Sequence, residues 1–205
     1  MSANSLEAIL FDFDGVLVDS EPLHYECWCE IIAPHGLTLS WDNYASNCIG
    51  VSDRAMIETL CRVTGQPSRF DAIWAEYPAK KALFRRRAIA KVPMPEATRE
   101  LVTSLEGYRL AVVSSSGRAE IEPVLEAAGV RRYFELLVTG EDVRELKPSP
   151  EPYLTAAGRL GVSQALVLED SPAGIASGRA AGFEVLEIGR AADMASLLRD
   201  RLELR

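Results

Sequence analysis

The spacing of apolar residues changes twice along this chain. Residues 8–11 are four consecutive apolar residues, which is the length and residue type of a strand buried on both faces of a sheet. From Ser20 to about Ala90 no comparable run occurs, and the apolar residues are spaced as in helices. After Pro95, short apolar runs alternate with helical segments. The pattern therefore predicts one strand, then a helical insertion, and then alternating helices and strands.

Turn and cap residues set the expected bounds of these elements. In the insertion, helical segments are predicted at 21–36, 54–64 and 70–89, and Pro78 is expected to kink or break the third. Val92–Pro95 contains two prolines and is interpreted as a linker. Beyond it, helices are predicted at 96–105, 118–128, 151–160 and 173–181, and strands at 110–113, 136–138, 165–168 and 185–188.

This alternation predicts an α/β protein with a Rossmann-like, doubly wound parallel sheet. The first strand belongs to that sheet, so the helical segment is an inserted α-helical cap domain. We expect the core domain to comprise residues 1–17 and 92–205, and the cap to comprise residues 18–91. A helical unit inserted just after the first strand is positioned to act as a lid.

The composition narrows the class of protein and its partners. The chain has 205 residues, 48% of them hydrophobic and 25% charged, as in soluble globular proteins. A net charge of −8 argues against nucleic acid or an anionic membrane as the main partner. No apolar run approaches the ~20 residues of a membrane span, and the start lacks a signal peptide pattern, so a cytoplasmic location is expected. We expect a monomer, with a dimer left open, and reduced thiols at Cys27, Cys29, Cys48 and Cys61.

Two carboxylates stand directly after the first predicted strand. Side chains alternate along a strand, so Asp12 and Asp14 would point to opposite faces if the strand continued. Gly15 instead favours a turn, which can bring both carboxylates to one pocket at the carboxyl end of the strand. Two carboxylates held together repel each other, and a hard divalent cation such as Mg²⁺ neutralises such an all-oxygen site. An Asp-x-Asp pair also occurs in turns and helix caps, so this pair alone leaves a structural role equally open.

Polar residues also follow the later predicted strands. Ser114–Gly117 leads into a helix, where hydroxyls and backbone N–H groups suit a phosphate, although an ordinary serine N-cap has the same pattern. Lys147 precedes Pro148, and a lone lysine of this kind is also typical of a solvated surface. Glu169 and Asp170 form a second carboxylate pair. Because the carboxyl ends of parallel strands meet on one side of the fold, their coincidence favours a single site.

Four motifs, in this order, resemble those of the haloacid dehalogenase superfamily of aspartyl phosphotransferases: Asp12-Phe13-Asp14-Gly15-Val16, Ser114, Lys147 and Glu169-Asp170. The resemblance covers almost the whole chain, and the helical insertion is similar to the α-helical cap of the superfamily. It implies that Asp12 is the nucleophile and that Asp14 is the general acid and base. Asp14 also implies phosphate-ester chemistry, since true haloacid dehalogenases and phosphonatases lack a carboxylate at that position.

The resemblance further implies a phosphate site and a Mg²⁺ site. Ser114 and Lys147 would bind the phosphoryl group, together with Ser115 and Ser116. An ionised aspartate needs no base to attack phosphorus, but it needs screening from an anionic substrate, which Mg²⁺ and Lys147 would supply. Mg²⁺ would be held, directly or through water, by Asp12, the Asp14 carbonyl oxygen, Glu169 and Asp170.

Within the superfamily, the chain looks most like the β-phosphoglucomutase and phosphoglycolate phosphatase branch, on residues 20–24 and 50–54. Arg54 is a candidate for binding a distal anionic or polyol group, and His24 for coordinating cap closure with Asp14. A surface arginine and an ordinary helix histidine are the alternatives. The candidate substrate residues of the cap are Glu21, His24, Gly50, Arg54 and Lys80.

One cap residue separates two possible activities. Ile49 stands where β-phosphoglucomutase has a lysine before the cap glycine, which argues against mutase-type recognition. Lys80, Lys81 and Arg85–Arg87 are possible replacements, although a basic run is also typical of a solvated helix face. We expect a Mg²⁺-dependent phosphatase acting on a small phosphorylated metabolite, in particular a sugar phosphate. A β-phosphoglucomutase-type mutase is the alternative, and a catalytically silent binding or regulatory protein is a third.

Overall fold

The structure, a computed structural model, describes residues 6–49 and 52–204. Within them, a five-stranded parallel sheet has the strand order β3-β2-β1-β4-β5. This sheet, with the helices of the chain, confirms the predicted α/β, Rossmann-like fold class. The strands are β1 (Ala8–Phe11), β2 (Arg109–Val113), β3 (Leu136–Val138), β4 (Ala165–Glu169) and β5 (Glu184–Glu187).

Ten helices, apart from short 3₁₀ turns, occur in the part of the chain that the structure describes. None of them combines the length and the hydrophobicity that crossing a lipid bilayer requires. Those of the insertion are α1 (Glu21–Ile32), α2 (Trp41–Asn47), α3 (Asp53–Val63), α4 (Phe70–Trp74) and α5 (Tyr77–Ala90). Those that follow are α6 (Glu96–Ser104), α7 (Arg118–Ala127), α8 (Glu151–Leu160), α9 (Pro172–Ala180) and α10 (Ala191–Arg201).

The described chain divides into two units. The core unit contains the chain up to Asp19 and from Val92 onward, and the cap unit is Ser20–Lys91. Each unit has buried apolar residues of its own. Those of the core unit include Leu10, Ala111, Val113, Tyr153 and Val167, and those of the cap unit include Trp28, Ile32, Met56, Ile57 and Ile73.

The strand register decides where the functional residues lie. β1 is the central strand, and Phe11 lies opposite Val112 of β2 and Leu168 of β4. The three strands therefore end almost level with one another. Residues that follow these strands in the sequence meet at one edge of the sheet, as the alternation of elements predicts.

Three details of the helices differ from the sequence expectation. Helix α2 was not predicted, because it has only seven residues and buries only Tyr44, which is too little to show a period. Helix α10 lies beyond the last predicted element. The third cap segment is broken at Ala75 and Glu76 and not at Pro78, which lies in the first turn of α5, where a missing N–H costs nothing.

Candidate active site

The turn after β1 places the first carboxylate at the carboxyl edge of the sheet. The Asp12 backbone N–H donates to the carbonyl oxygen of Leu168 in β4, at 3.0 Å. Gly15 has a φ of +74°, in the left-handed region that favours glycine, so the chain turns where the sequence predicts. Asp14 therefore leaves the strand direction and lies beside the loop that follows β2.

Lys147 connects the ends of three strands. Its side chain is only 6% exposed, and its ammonium donates to Asp12 Oδ1 at 2.7 Å and to the Val113 carbonyl oxygen at 2.9 Å. It also donates to Glu169 Oε1. Lys147 is thus a buried cation between two carboxylates, and not the solvated surface lysine that the sequence left open.

Glu169 is fixed by five hydrogen bonds and is fully buried. Oε1 accepts from Lys147 and from the Tyr153 hydroxyl, at 2.7 Å for the tyrosine. Oε2 accepts from the backbone N–H groups of Asp170 and Ser171 and from the Ser171 hydroxyl, at 3.1–3.2 Å. With both oxygens engaged, Glu169 is held in one orientation.

Burial and charge act in opposite directions on the two central groups. Burial raises the pKa of Asp12 well above its usual range, and Lys147 offsets only part of this effect because Glu169 and Asp170 raise the pKa further. Burial alone would lower the pKa of Lys147, but Asp12 and Glu169 outweigh it and raise the pKa. The lysine therefore stays charged, and further positive charge near Asp12 would favour the ionised form of its carboxyl group.

The carboxylates fit a divalent cation. Asp12, Glu169 and Asp170 each offer an oxygen, and these oxygens lie within 4.8 Å of one another. Three carboxylates against the single ammonium of Lys147 would leave two negative charges uncompensated, the charge of one divalent cation. Gly15 makes room for this cluster, because a Cβ there would lie 2.0 Å from Asp170 Oδ2.

The three predicted phosphate-binding serines lie in the loop after β2 and have different surroundings. Ser114 is buried, and its Oγ accepts from the Ser116 backbone N–H at 3.1 Å. Ser115 is exposed. The Ser116 hydroxyl donates to Asp14 Oδ2 at 3.1 Å. The loop leads into α7, so its backbone N–H groups lie near the positive end of a helix dipole.

A charged cluster fastens this loop to the loop after β3. Asp142 accepts from the Thr139 backbone and hydroxyl, from Arg118 at the start of α7 and from Arg159 in α8, all at 2.8–3.0 Å. Burial alone would raise the pKa of Asp142, but the hydrogen bonds from Thr139 and the two arginines lower it to about 2. The cluster is therefore charged at neutral pH and supports the start of α7.

In the cap unit, the structure brings together two of the candidate residues. The Lys80 ammonium lies 2.8 Å from His24 Nδ1 and 3.0 Å from Asp53 Oδ2, and the lysine is 1% exposed. Asp53 also accepts from the Trp28 indole N–H at 2.6 Å. The His24 ring is stacked on Phe84, with ring centroids 4.1 Å apart. Lys80 and His24 therefore belong to a polar network inside the cap unit.

The other cap candidates have separate surroundings. Glu21 accepts a hydrogen bond from a tyrosine hydroxyl of α2, at 2.7 Å. The Arg54 guanidinium is exposed and lies over the rings of Phe70 and Trp74, at 4.9 and 5.6 Å. In the basic run, Arg85 and Arg86 are exposed and Arg87 pairs with Glu30. Gly50 lies outside the described residues.

Sequence reasoning did not identify three residues of this site. Tyr153 gives no such signal, since an aromatic residue on the buried face of α8 carries no sign of a polar partner. Asp142 resembles any loop aspartate. Gly174 had a detectable signal, because a glycine in the first turn of a helix is locally unfavourable and indicates close approach of another group.

Gly174→Ala is expected to lower the affinity of the acidic cluster for a divalent cation by about 10- to 100-fold. A Cβ at this position would lie 1.8 Å from Glu169 Oε1 and 1.9 Å from its Cδ. Because five hydrogen bonds fix Glu169, its carboxylate cannot swing away without losing several of them. The test measures the rise in the unfolding midpoint that Mg²⁺ causes in the variant and in the wild type.

Gly158→Ala is the matched control. Gly158 lies inside α8, and a Cβ there meets no atom within 4 Å. Alanine at such a position stabilises a helix by about 0.4–1 kcal/mol. Because it displaces no neighbour, it is expected to leave the affinity for Mg²⁺ unchanged. Equal shifts of the unfolding midpoint with Mg²⁺ in the two variants would contradict the role given to Gly174.

Comparison with known proteins agrees with this geometry. A family profile described as haloacid dehalogenase-like hydrolase matches residues 9–188. The validoxylamine A 7'-phosphate phosphatase of Streptomyces hygroscopicus subsp. limoneus is 34% identical over 178 residues, which cover 85% of this chain and 81% of that protein. The fructose-1-phosphate phosphatase YqaB of Escherichia coli (strain K12) is 31% identical over 184 residues, which cover 88% and 95%. The chain is thus similar to two named phosphatases over most of its length.

A solved structure shows the same likeness. The crystal structure of CbbY from Rhodobacter sphaeroides in complex with phosphate has a TM-score of 0.71 and 28% sequence identity to this chain. The match covers 88% of this chain and 85% of CbbY.

Proposed function

Because the chain belongs to the haloacid dehalogenase-like hydrolase family, we propose that it is a Mg²⁺-dependent phosphatase of sugar phosphates that forms an aspartyl-phosphate on Asp12. The observation that carries this proposal is the buried Lys147 ammonium, 2.7 Å from Asp12 Oδ1, beside two further carboxylates. The relatives named for fructose 1-phosphate and validoxylamine A 7'-phosphate support the choice of phosphorylated carbohydrates and similar polyols as substrates.

Asp12 is the nucleophile of this reaction. Its backbone N–H is hydrogen-bonded to β4, so the backbone position from which the carboxylate extends is fixed at the sheet edge. Attack by a carboxylate oxygen on phosphorus forms an acyl phosphate and releases the alcohol, and water then cleaves that acyl phosphate. Lys147 stabilises the ionised nucleophile and the phosphoryl oxygens that approach it.

The loop after β2 receives the phosphoryl group. The Ser114 hydroxyl and the backbone N–H groups before α7 are donors at the positive end of a helix, which suits a dianion. These donors are neutral, and Lys147, beside Asp12, supplies positive charge for the phosphate. Positioning and electrostatic stabilisation together supply most of the rate enhancement in phosphoryl transfer.

Asp14 transfers the protons. It donates one to the leaving alcohol oxygen and accepts one from the water that attacks the acyl phosphate. It lies two residues after the nucleophile and directly before Gly15, where the chain turns. The two carboxylates therefore have separate tasks in one reaction.

The acidic cluster is suited to Mg²⁺. Asp12, the Asp14 carbonyl oxygen and Asp170 would hold it, while Glu169, with both oxygens already hydrogen-bonded, would act through water. When bound, Mg²⁺ offsets the negative charge of the substrate and polarises its phosphoryl oxygens.

The test measures inorganic phosphate released from a panel of esters with Mg²⁺ and with EDTA. The panel contains fructose 1-phosphate, glucose 6-phosphate, β-glucose 1-phosphate and phosphoglycolate, and formation of glucose 6-phosphate from β-glucose 1-phosphate is followed in parallel. We expect EDTA-sensitive phosphate release, with one sugar phosphate preferred over phosphoglycolate by about 10-fold or more in kcat/KM.

Two outcomes would contradict the proposal. Conversion of β-glucose 1-phosphate to glucose 6-phosphate with little phosphate release would identify a mutase. No turnover of any ester with Mg²⁺ would favour a catalytically silent protein on this fold.

A further inference from the structure

The Ser116 hydroxyl is hydrogen-bonded to the side chain of Asp14, a contact that phosphate binding does not require. It donates to Asp14 Oδ2 at 3.1 Å, across the gap between the turn after β1 and the loop after β2. Its sequence position suggests a phosphate-binding residue, like its two neighbours. Its observed contact is instead with the side chain that handles protons.

Ser116 is a fixed point in its loop. Its backbone N–H donates to Ser114 Oγ at 3.1 Å, and its carbonyl oxygen accepts from the Gly140 N–H at 3.2 Å. The loops are packed so closely that a Cβ on Gly140 would lie 2.6 Å from the Ser115 carbonyl oxygen. The backbone on both sides of the Ser116 hydroxyl therefore has little room to move.

The backbone of Asp14 is fixed as well. The Gly15 N–H donates to the Val18 carbonyl oxygen at 2.9 Å, and the backbones of Asp14 and Val18 form an isolated β-bridge. With the main chain set by this turn, the orientation of the Asp14 carboxylate depends on its side-chain torsions. A hydrogen bond to one of its oxygens selects among those torsions.

We propose that Ser116 is a positioning residue that orients the Asp14 carboxylate for proton transfer. This inference rests on the proposed phosphatase activity. Because the hydroxyl donates to Oδ2, that oxygen acts as the acceptor, and the proton exchanged with the substrate is carried by Oδ1.

The two half-reactions balance with Ser116 unchanged. In the first, the bond between phosphorus and the alcohol oxygen breaks, the bond to Asp12 forms, and the proton passes from Asp14 to the alcohol oxygen. In the second, a water oxygen bonds to phosphorus, the bond to Asp12 breaks, and a proton of the water passes to Asp14. Ser116 keeps its own proton throughout.

The test compares Ser116→Ala with wild type on two esters. One is the preferred sugar phosphate from the panel, whose alkoxide must be protonated as it leaves. The other is p-nitrophenyl phosphate, whose phenolate leaves without a proton. First-turnover rates are measured, so that only formation of the acyl phosphate is observed. We expect a loss of about 10-fold or more on the sugar phosphate and of less than about threefold on p-nitrophenyl phosphate.

Two further variants separate positioning from a general structural effect. Ser116→Thr keeps the hydroxyl and is expected to restore most of the rate on the sugar phosphate. Ser104→Ala removes a hydroxyl that donates to the Leu101 carbonyl oxygen at 2.8 Å in the last turn of α6, at the opposite end of β2. It is expected to leave the ratio of the two rates unchanged.

Other outcomes would overturn the inference. Equal losses of Ser116→Ala on both esters would mean that Ser116 acts on the phosphoryl group itself. Unchanged rates on both esters would mean that Asp14 needs no such partner. Absence of turnover by the wild type would instead refute the proposed function, and the inference with it.

Discussion

The Asp12→Asn variant is expected to lose at least about 1,000-fold in phosphate release while it remains folded. Asparagine has nearly the same shape, but its amide oxygen is neutral and does not form an acyl phosphate. The substitution leaves Lys147 paired with Glu169, so no buried charge is left without a partner and little stability should be lost. The measurement is kcat on the preferred ester at saturating Mg²⁺, with thermal unfolding to verify the fold.

A matched variant and a trapping experiment make this test specific. Asp193→Asn changes a partly exposed aspartate of α10 that pairs with Arg190, and its rate should equal that of the wild type. Acid quenching of the wild type during turnover should yield protein carrying one phosphoryl group, and Asp12→Asn should yield none. Undiminished phosphate release by Asp12→Asn would refute the assignment of the nucleophile.

The sheet edge that carries the site could be predicted from the sequence because a parallel sheet leaves few choices. Short apolar runs identify β1, β2 and β4, and their register makes them end level. Asp12 and Ser114 directly follow β1 and β2, and Glu169 is the last residue of β4, so these residues must then meet. The burial of Lys147 did not follow from the pattern of the sequence, which left a solvated surface lysine open, and it is the structure that places its ammonium between two carboxylates.

The contacts that hold the site together could not be predicted in this way. Tyr153 and Glu169 are sixteen residues apart and belong to α8 and β4, so no period in the sequence connects them. The hydroxyl of Ser116 reaches Asp14, 102 residues away, because two loops pack against each other. Patterns along a chain report which face a residue occupies, but not which side chain it meets there.

The cap unit shows the same limit. Its helices follow from their spacing and caps, except for α2, which is too short to have a period. The pairing of Lys80 with Asp53 and His24 depends on three different helices. From the sequence, Lys80 is one more residue of a basic run, and only the packing of α5 separates it from the exposed Arg85.

Lys147→Met is expected to cost about 3–5 kcal/mol of unfolding free energy without Mg²⁺, and to reduce turnover by about 100-fold or more. Methionine fills much of the same space but leaves Asp12 and Glu169 buried with no ammonium between them. The free energy is measured by urea unfolding in EDTA and the turnover on the preferred ester. Lys91→Met, at an exposed lysine, is the control and should lie within about 0.5 kcal/mol of wild type.

The same Lys147→Met variant tests the cation site through stability alone. A ligand that binds only the folded state stabilises it by RT ln(1 + [L]/Kd), so Mg²⁺ should raise the unfolding midpoint of both proteins. The rise should be larger in Lys147→Met, because the cation then neutralises carboxylates that no longer face an ammonium. Lys147→Arg keeps the charge but places a larger planar group in a buried space. It should therefore recover only part of the lost stability, which is not enough to restore turnover. If Mg²⁺ shifts neither midpoint, these carboxylates do not form a cation site, and the charge on Lys147 alone balances the nucleophile.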